Sequence, residues 1–184
     1  MGDDARPYSA AASLDIPLDR DLFMRAMVRE LAGTLEQSVG LERASSFFSI
    51  VGQAIGDLID GMYKQAWGVA RLGREQVAEA LVDLKARILG GFRVVDQSDD
   101  KIVLVNTACP FGEKVLGRRS MCMMTSNVFG SIAAENLGYA KVSLEQTIAE
   151  GRGECHVTVY LQPGAEADAA TGHEYFRGSE DAAD

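Results

Sequence analysis

The sequence has few of the residues on which enzyme sites most often depend. Its 184 residues include two histidines, four prolines and one tryptophan. Neither a Ser/His/Asp nor a Cys/His arrangement can be recognised, so histidine-dependent catalysis is not expected. The chain also lacks a G-x-G-x-x-G fingerprint after a strand pattern and a G-K-[ST] phosphate loop. We therefore predict that the protein is not an enzyme.

Long apolar runs and basic clusters are absent as well. No stretch of 18 apolar residues occurs, and acidic residues stand where a signal peptide needs basic ones, so we expect a cytoplasmic protein without a membrane segment. The net charge is −9, and the C-terminal residues 163–184 carry six acids against one arginine. Nucleic-acid binding needs a basic surface. Direct contact with DNA or RNA is therefore not predicted.

Cysteine is scarce and odd in number, with Cys109, Cys122 and Cys155 as the full set. An odd count in a reducing compartment argues against a disulfide framework. Because no Cys-x-x-Cys pair occurs, a zinc ribbon is excluded too. Three interpretations stay open at this point: a metal site, a redox-active thiol, or three ordinary buried cysteines.

Apolar periodicity divides the chain into a helical half and a mixed half. A period of 3.6 predicts helices over residues 19–39, 41–69 and 74–89, and again over 121–136, where Ser120 could cap the helix. In the third helix, we expect Leu81 and Leu84 to face inward and Lys85 to face outward with the acidic residues. A period of two predicts strands at 92–97, 101–107, 139–148 and 154–161. The expected fold is α+β, with the N-terminal helices packed on a small antiparallel sheet made of two hairpins with an intervening helix.

The two ends of the chain have a different composition. Residues 1–17 are rich in alanine, serine, aspartate and proline, and residues 163–184 in glycine, alanine and acids. Such segments bury too little apolar surface to fold alone. We predict a single α+β domain over residues 18–162 between two disordered tails.

Glycines interrupt the second predicted helix at Gly52, Gly56 and Gly61. Each costs about 1 kcal/mol relative to alanine in a helix interior. Gly52 and Gly56 are four residues apart and share a face, so another backbone could approach closely there. That backbone could belong to the same chain or to a second copy, and a homodimer is one expectation.

The predicted elements place each cysteine at the edge of a regular element. Cys109 follows a strand that Pro110 ends, Cys122 opens a helix, and Cys155 begins a strand. A helix N-terminus lowers a thiol pKa, which favours the metal-binding thiolate of Cys122. Thiolates suit iron–sulfur clusters, zinc or copper(I). Three cysteine ligands leave a fourth coordination position on a tetrahedral metal. Strand alternation turns His156 away from Cys155, so an external ligand, water or a carboxylate is as good a candidate for that position as a histidine.

Around these cysteines the sequence resembles the methanogen output domain family. The residues that carry the resemblance are Cys109-Pro110-Phe111-Gly112, Cys122-Met123-Met124-Thr125-Ser126, Phe129-Gly130, Asn136-Leu137-Gly138-Tyr139-Ala140, and Gly151, Gly153 and Cys155. That family is akin to the 4-vinyl reductase domains, with an α+β fold similar to that of TRAPP trafficking subunits. The cysteine layout is also similar to that of cluster-binding repressors of iron–sulfur assembly.

The resemblance implies a sensory role in signal transduction. By position, Cys109, Cys122 and Cys155 would be the counterparts of the cluster ligands, which makes an iron–sulfur cluster the expected cofactor and zinc the alternative. Since no receiver or DNA-binding module is visible, the signal would pass to a regulatory protein partner. The competing hypothesis is a module that binds an apolar small molecule, with structural zinc or no metal at the cysteines.

Overall fold

The computed structural model describes residues 14–178, and its first half is helical as predicted. Residues 1–13 and 179–184, which belong to the two predicted tails, lie outside the described residues. The helices of the first half are α1 (Arg20–Val39), α2 (Leu41–Trp67) and α3 (Arg74–Arg87). Asp19 caps α1 by accepting a 2.7 Å hydrogen bond from the Leu22 amide. Gly40, at φ +83°, turns the chain from α1 into α2.

The second half contributes one antiparallel sheet of five strands and a central helix. The strands are β1 (Phe92–Gln97), β2 (Lys101–Asn106), β3 (Tyr139–Gln146), β4 (Cys155–Tyr160) and β5 (His173–Phe176), and the helix is α4 (Cys122–Leu137). The strand order is β1-β2-β4-β3-β5. The two predicted hairpins thus join along β2 and β4 into one sheet. The predicted α+β fold is confirmed.

Helix α4 lies at the centre of the fold, between α2 and the sheet. Its close approach to α2 explains two of the three glycines. A Cβ at Gly52 would stand 2.7 Å from the Asn127 Cβ, and one at Gly56 would stand 2.9 Å from the Ser131 Cβ. These glycines therefore serve packing within the chain. A Cβ added at Gly61 would have no neighbouring atom within 4 Å, so this packing does not account for the third glycine.

The prediction of a disordered C-terminal tail is wrong for its first part. Residues Ala165–Ala169 form a short helix, α5, and His173–Phe176 form β5 on the free edge of β3. Tyr175 is 9% exposed, packs against Gly130 of α4, and shares a 3.0 Å hydrogen bond with Ser126. A short apolar pair in an acidic segment can thus complete a sheet that the rest of the chain provides.

Two smaller expectations also need correction. Ser120 does not cap α4 but donates a 2.6 Å hydrogen bond to the Glu36 carboxylate of α1. Lys85, which was predicted to face solvent, is buried and only 5% exposed. Within residues 14–178, no helix combines the length and apolar character needed to cross a membrane.

Candidate functional site

The three cysteines, which are far apart in sequence, line one small cavity. Cys109 lies in the loop after β2, Cys122 is the first residue of α4, and Cys155 is the first residue of β4. All three are half-buried, and the cavity has a volume of about 30 Å³. Its other walls are mostly apolar and include Phe111 and Met121.

Sheet register explains how two of the thiols meet. Asn106, the last residue of β2, is paired with Cys155, the first residue of β4. The Asn106 side-chain oxygen accepts hydrogen bonds from the amides of Gly91, at 3.0 Å, and Ala108, at 3.1 Å. These bonds fix the turn that carries Cys109 towards Cys155. The strand already ends at Asn106, four residues before Pro110.

Each sulfur lies near a hydrogen-bond donor. The Ile148 amide donates to the Cys155 Sγ at 3.3 Å, and the Asn106 Nδ2 does so at 3.8 Å. For Cys109 and Cys122, burial is the largest influence on the thiol pKa and raises it, whereas hydrogen bonds act to lower it. The amides of Phe111 and Gly112 act to lower the pKa of Cys109, and the Thr147 hydroxyl acts to lower that of Cys122. Donors aimed at sulfur favour a thiolate or a metal-bound thiolate over a thiol.

In the metal-free chain Cys109 and Cys122 nevertheless stay protonated at neutral pH. Burial raises the pKa of Cys122 to about 12, and it also raises the pKa of Cys109. The expectation that the helix N-terminus lowers the pKa of Cys122 is therefore wrong. Desolvation of a charged sulfur outweighs the helix dipole at this buried position.

A buried lysine lies beside the cysteines. The Lys85 ammonium donates a 2.9 Å hydrogen bond to the Thr125 hydroxyl and stands 5.3 Å and 5.7 Å from the ring centres of Phe129 and Phe92. Burial lowers its pKa to about 8, while the charge of the three cysteines, when ionised, acts in the opposite direction. Among residues 14–178, no carboxylate pairs with it. The site therefore holds a cation that lacks a permanent anionic partner.

No finished metal site is present in the part of the chain that the structure describes. Within residues 14–178, no group of three or more His, Cys, Asp or Glu side chains is arranged to hold a metal ion. His156 hydrogen-bonds to Glu154 at 2.8 Å and is partly exposed, and His173 lies exposed on β5. Neither histidine lines the cavity. The donor chemistry fits a thiophilic metal, but the sulfurs surround the cavity without closing on one point.

Three members of this site, Lys85, Asn106 and Thr147, were not predicted from the sequence. A signal for Lys85 was available, because it follows the buried Leu81 by four residues and thus lies on the inward face of α3. Asn106 ends an apolar strand. Polar residues are common at strand ends, so the sequence pattern gave no reason to assign Asn106 to the site. Thr147 reaches Cys122 through the fold, so no local pattern could identify it.

Comparison with known proteins supports the fold and the family. No curated protein matches the chain. One similar solved structure is trafficking protein particle complex subunit 3 from Naegleria fowleri, described as covalently bound to palmitic acid. The two chains share 13% sequence identity at a TM-score of 0.61, over 78% of this chain and 95% of that one, which shows a common fold. The family model of methanogen output domain 1 matches residues 27–160. The chain therefore belongs to the methanogen output domain 1 family.

Proposed function

We propose that this protein is a cytoplasmic sensory domain, not an enzyme, in which Cys109, Cys122 and Cys155 hold a thiophilic metal. One observation carries the proposal: thiols from three separate segments line a single cavity beside a buried ammonium that no carboxylate of residues 14–178 pairs. Buried cysteines that serve only as core residues do not require a buried lysine next to them. Three thiolates around a soft metal would give that lysine its anionic partner.

The charges of such a site balance. Three thiolates and one divalent cation sum to −1, which the Lys85 ammonium offsets inside the apolar surroundings. Burying an uncompensated charge costs several kcal/mol. The metal also removes the obstacle to ionisation, because a coordinated thiol loses its proton despite burial. The raised thiol pKa values of Cys109 and Cys122 in the metal-free chain are thus compatible with metal binding.

Cavity size favours a single ion over a cluster in this closed form. About 30 Å³ accommodates one water-sized guest. An iron–sulfur cluster, the cofactor expected from the resemblance, would need the segment 107–121 to move outward. Zinc and copper(I) need only that the three sulfurs approach one another. The fourth position would then be open to water or a small external ligand, which suits a sensor.

Hydrogen bonds connect the cysteine segments to helix α1. The Arg29 guanidinium donates to the carbonyls of Lys114, at 2.5 Å, and Leu116, at 2.8 Å. Ser120, two residues before Cys122, is bonded to Glu36. Metal binding that draws Cys109 and Cys122 inward would therefore shift α1. A regulatory protein partner could recognise that change.

Elemental analysis of anaerobically isolated protein tests the proposal. We expect about one equivalent of a thiophilic metal per chain for an ion, or iron with inorganic sulfide for a cluster. Each of Cys109→Ser, Cys122→Ser and Cys155→Ser should lose the metal while keeping the wild-type circular dichroism spectrum. Met123→Leu is the matched control, since Met123 packs beside the cysteines as a core residue and should not affect metal content. Metal content unchanged in all three serine variants would contradict the proposal.

A second candidate function follows from a groove between α2 and α3. Its volume is about 350 Å³, and its walls include Ile59, Met62 and Ala66. That size suits a small apolar ligand, and the structural neighbour named above is described as covalently bound to palmitic acid. Trp67 stacks on Tyr63 of the same groove, with ring centres 5.4 Å apart. Saturable quenching of tryptophan fluorescence by free palmitate, lost in Ala66→Glu, would support this function, and unchanged fluorescence would exclude palmitate binding there.

A further inference from the structure

Helix α2 carries an apolar stripe that the described residues leave uncovered. The stripe consists of Phe47, Val51, Ala54, Leu58, Gly61 and Met62, all of them exposed. Phe47, Val51, Leu58 and Met62 are 50%, 46%, 59% and 56% exposed. The opposite, buried face of the same helix, including Gly52 and Gly56, packs on α4. Packing among residues 14–178 therefore uses one face of α2 and leaves the α2 stripe exposed.

The spacing of the α2 stripe is that of a helix–helix seam. Phe47, Val51, Ala54, Leu58 and Gly61 follow one another at intervals of four, three, four and three residues. This alternation places side chains along one line of an α-helix, as in the a and d positions of a coiled coil. Over about 15 residues the stripe is about 22 Å long.

Gly61 gives the stripe a feature that packing among residues 14–178 does not explain. A glycine in a helix interior costs about 1 kcal/mol relative to alanine, and Gly61 lies at neither end of α2. A Cβ added there would meet no atom within 4 Å. Together with Ala54, it makes a shallow place in the stripe where the backbone of another helix could approach closely.

The two N-terminal helices together expose a large amount of apolar surface. Helix α1 packs on α2 and exposes four more large apolar side chains, Phe23, Met24, Met27 and Leu31, by 39–56%. With the α2 stripe, these side chains leave on the order of 800 Å² accessible. The largest apolar patch on a typical monomer is roughly 300–600 Å². A stable dimer buries about 800 Å² from each partner.

We propose that the α2 stripe is the interface through which two copies of this chain form a symmetric dimer. The stripe contains no charged residue, so it offers nothing to a basic or acidic partner. A second copy presents the same uncharged seam, and a two-fold axis lets identical patches cover each other. This inference does not depend on the metal proposal.

Sedimentation velocity of the full chain over a range of concentrations tests the dimer. Wild type should sediment at twice the chain mass at micromolar concentrations. Since each copy carries −9, higher salt should screen the repulsion between copies and strengthen the dimer. Leu58→Glu should weaken dimerisation by at least about 100-fold, because the interface would bury an unpaired charge.

Two further variants separate the interface from general effects on folding. Val95→Glu adds the same charge at a 43% exposed position on β1 and should leave the dimer intact. Gly61→Gln should raise the thermal stability of the isolated chain through helix propensity while weakening the dimer through lost close approach. A wild-type chain that stays monomeric, or a dimer that survives Leu58→Glu or is lost equally in Val95→Glu, would overturn the proposal.

Discussion

Replacing Lys85 by methionine should stabilise the metal-free protein in a pH-dependent way. Lys85, on α3, is buried against Thr125 and Phe129 of α4 and Phe92 of β1, and burial lowers its pKa from 10.5 to about 8. This difference corresponds to about 3 kcal/mol of unfolding free energy. Below about pH 8 the lysine is charged in both the folded and unfolded states, so the folded state bears the whole cost of burying the charge. Methionine has a similar shape and no charge, and should remove that cost.

The sign of the pH dependence follows from proton linkage. Between about pH 8 and 10.5 the unfolded chain binds more protons at Lys85 than the folded chain does, so wild-type stability rises with pH relative to the variant. We expect Lys85→Met to be more stable by up to about 3 kcal/mol at pH 7, less the contribution of the lost Thr125 hydrogen bond. The advantage should shrink across this window and level off above it.

The assay compares urea unfolding of wild type and Lys85→Met at steps from pH 7 to pH 11 in chelator and reductant. Buried tyrosines with raised pKa values change stability in the opposite direction at high pH, but they are common to both proteins and cancel in the difference. The thiols do not cancel, because the Lys85 charge lowers the pKa of Cys109; without that charge the folded chain holds the thiol proton to higher pH, which also shrinks the advantage of Lys85→Met as the pH rises. Lys101→Met is the matched control, because Glu166 raises the pKa of that partly exposed lysine. Its difference from wild type should stay flat up to pH 10. If the difference in unfolding free energy between Lys85→Met and wild type does not change with pH, the Lys85 ammonium is not buried without an anionic partner.

Four other changes, grouped in three tests, probe the packing of the fold. Gly52→Ala should destabilise the fold by about 1–3 kcal/mol because the new Cβ meets the Asn127 Cβ. Gly61→Ala should instead raise the unfolding free energy of the isolated chain by up to about 1 kcal/mol. Equal effects of the two substitutions in chemical denaturation would contradict the α2–α4 contact at Gly52. Asn106→Ala should cost about 2–3 kcal/mol, since two backbone amides lose their acceptor, and unchanged stability would be inconsistent with its role in the turn. Deleting residues 171–184 should lower the unfolding free energy by about 3 kcal/mol or more by removing β5, and wild-type stability of the shortened chain would restore the disordered-tail interpretation.

The regular elements were predictable because their periodicity is strong. Helix α1 spans Arg20–Val39 against a prediction of 19–39, and β4 spans Cys155–Tyr160 against 154–161. β5 was not predictable, because four residues in an acidic segment have no periodicity of their own. It forms because β3 offers a free edge and Gly130 leaves room for the Tyr175 ring.

For the site, the cysteines could be identified from the sequence but their surroundings could not. The thiols could be expected to meet because their segments flank predicted strands and a helix. The raised pKa of Cys122 could not be expected, since its dominant cause is burial by residues such as Phe111 that approach only in the folded chain. Lys85 was predicted to face outward with the acidic residues of α3, although its spacing of four residues from Leu81 favours the inward face.

The central claim is that three cysteines act together on one metal, and the number of sulfur atoms around that metal tests it most directly. X-ray absorption spectroscopy of anaerobically isolated protein counts these sulfurs. We expect three cysteine sulfurs at about 2.3 Å from an ion such as zinc, falling to two in any Cys155→Ser protein that retains some metal. A metal with no sulfur neighbours, or with a sulfur number that Cys155→Ser leaves unchanged, would contradict it.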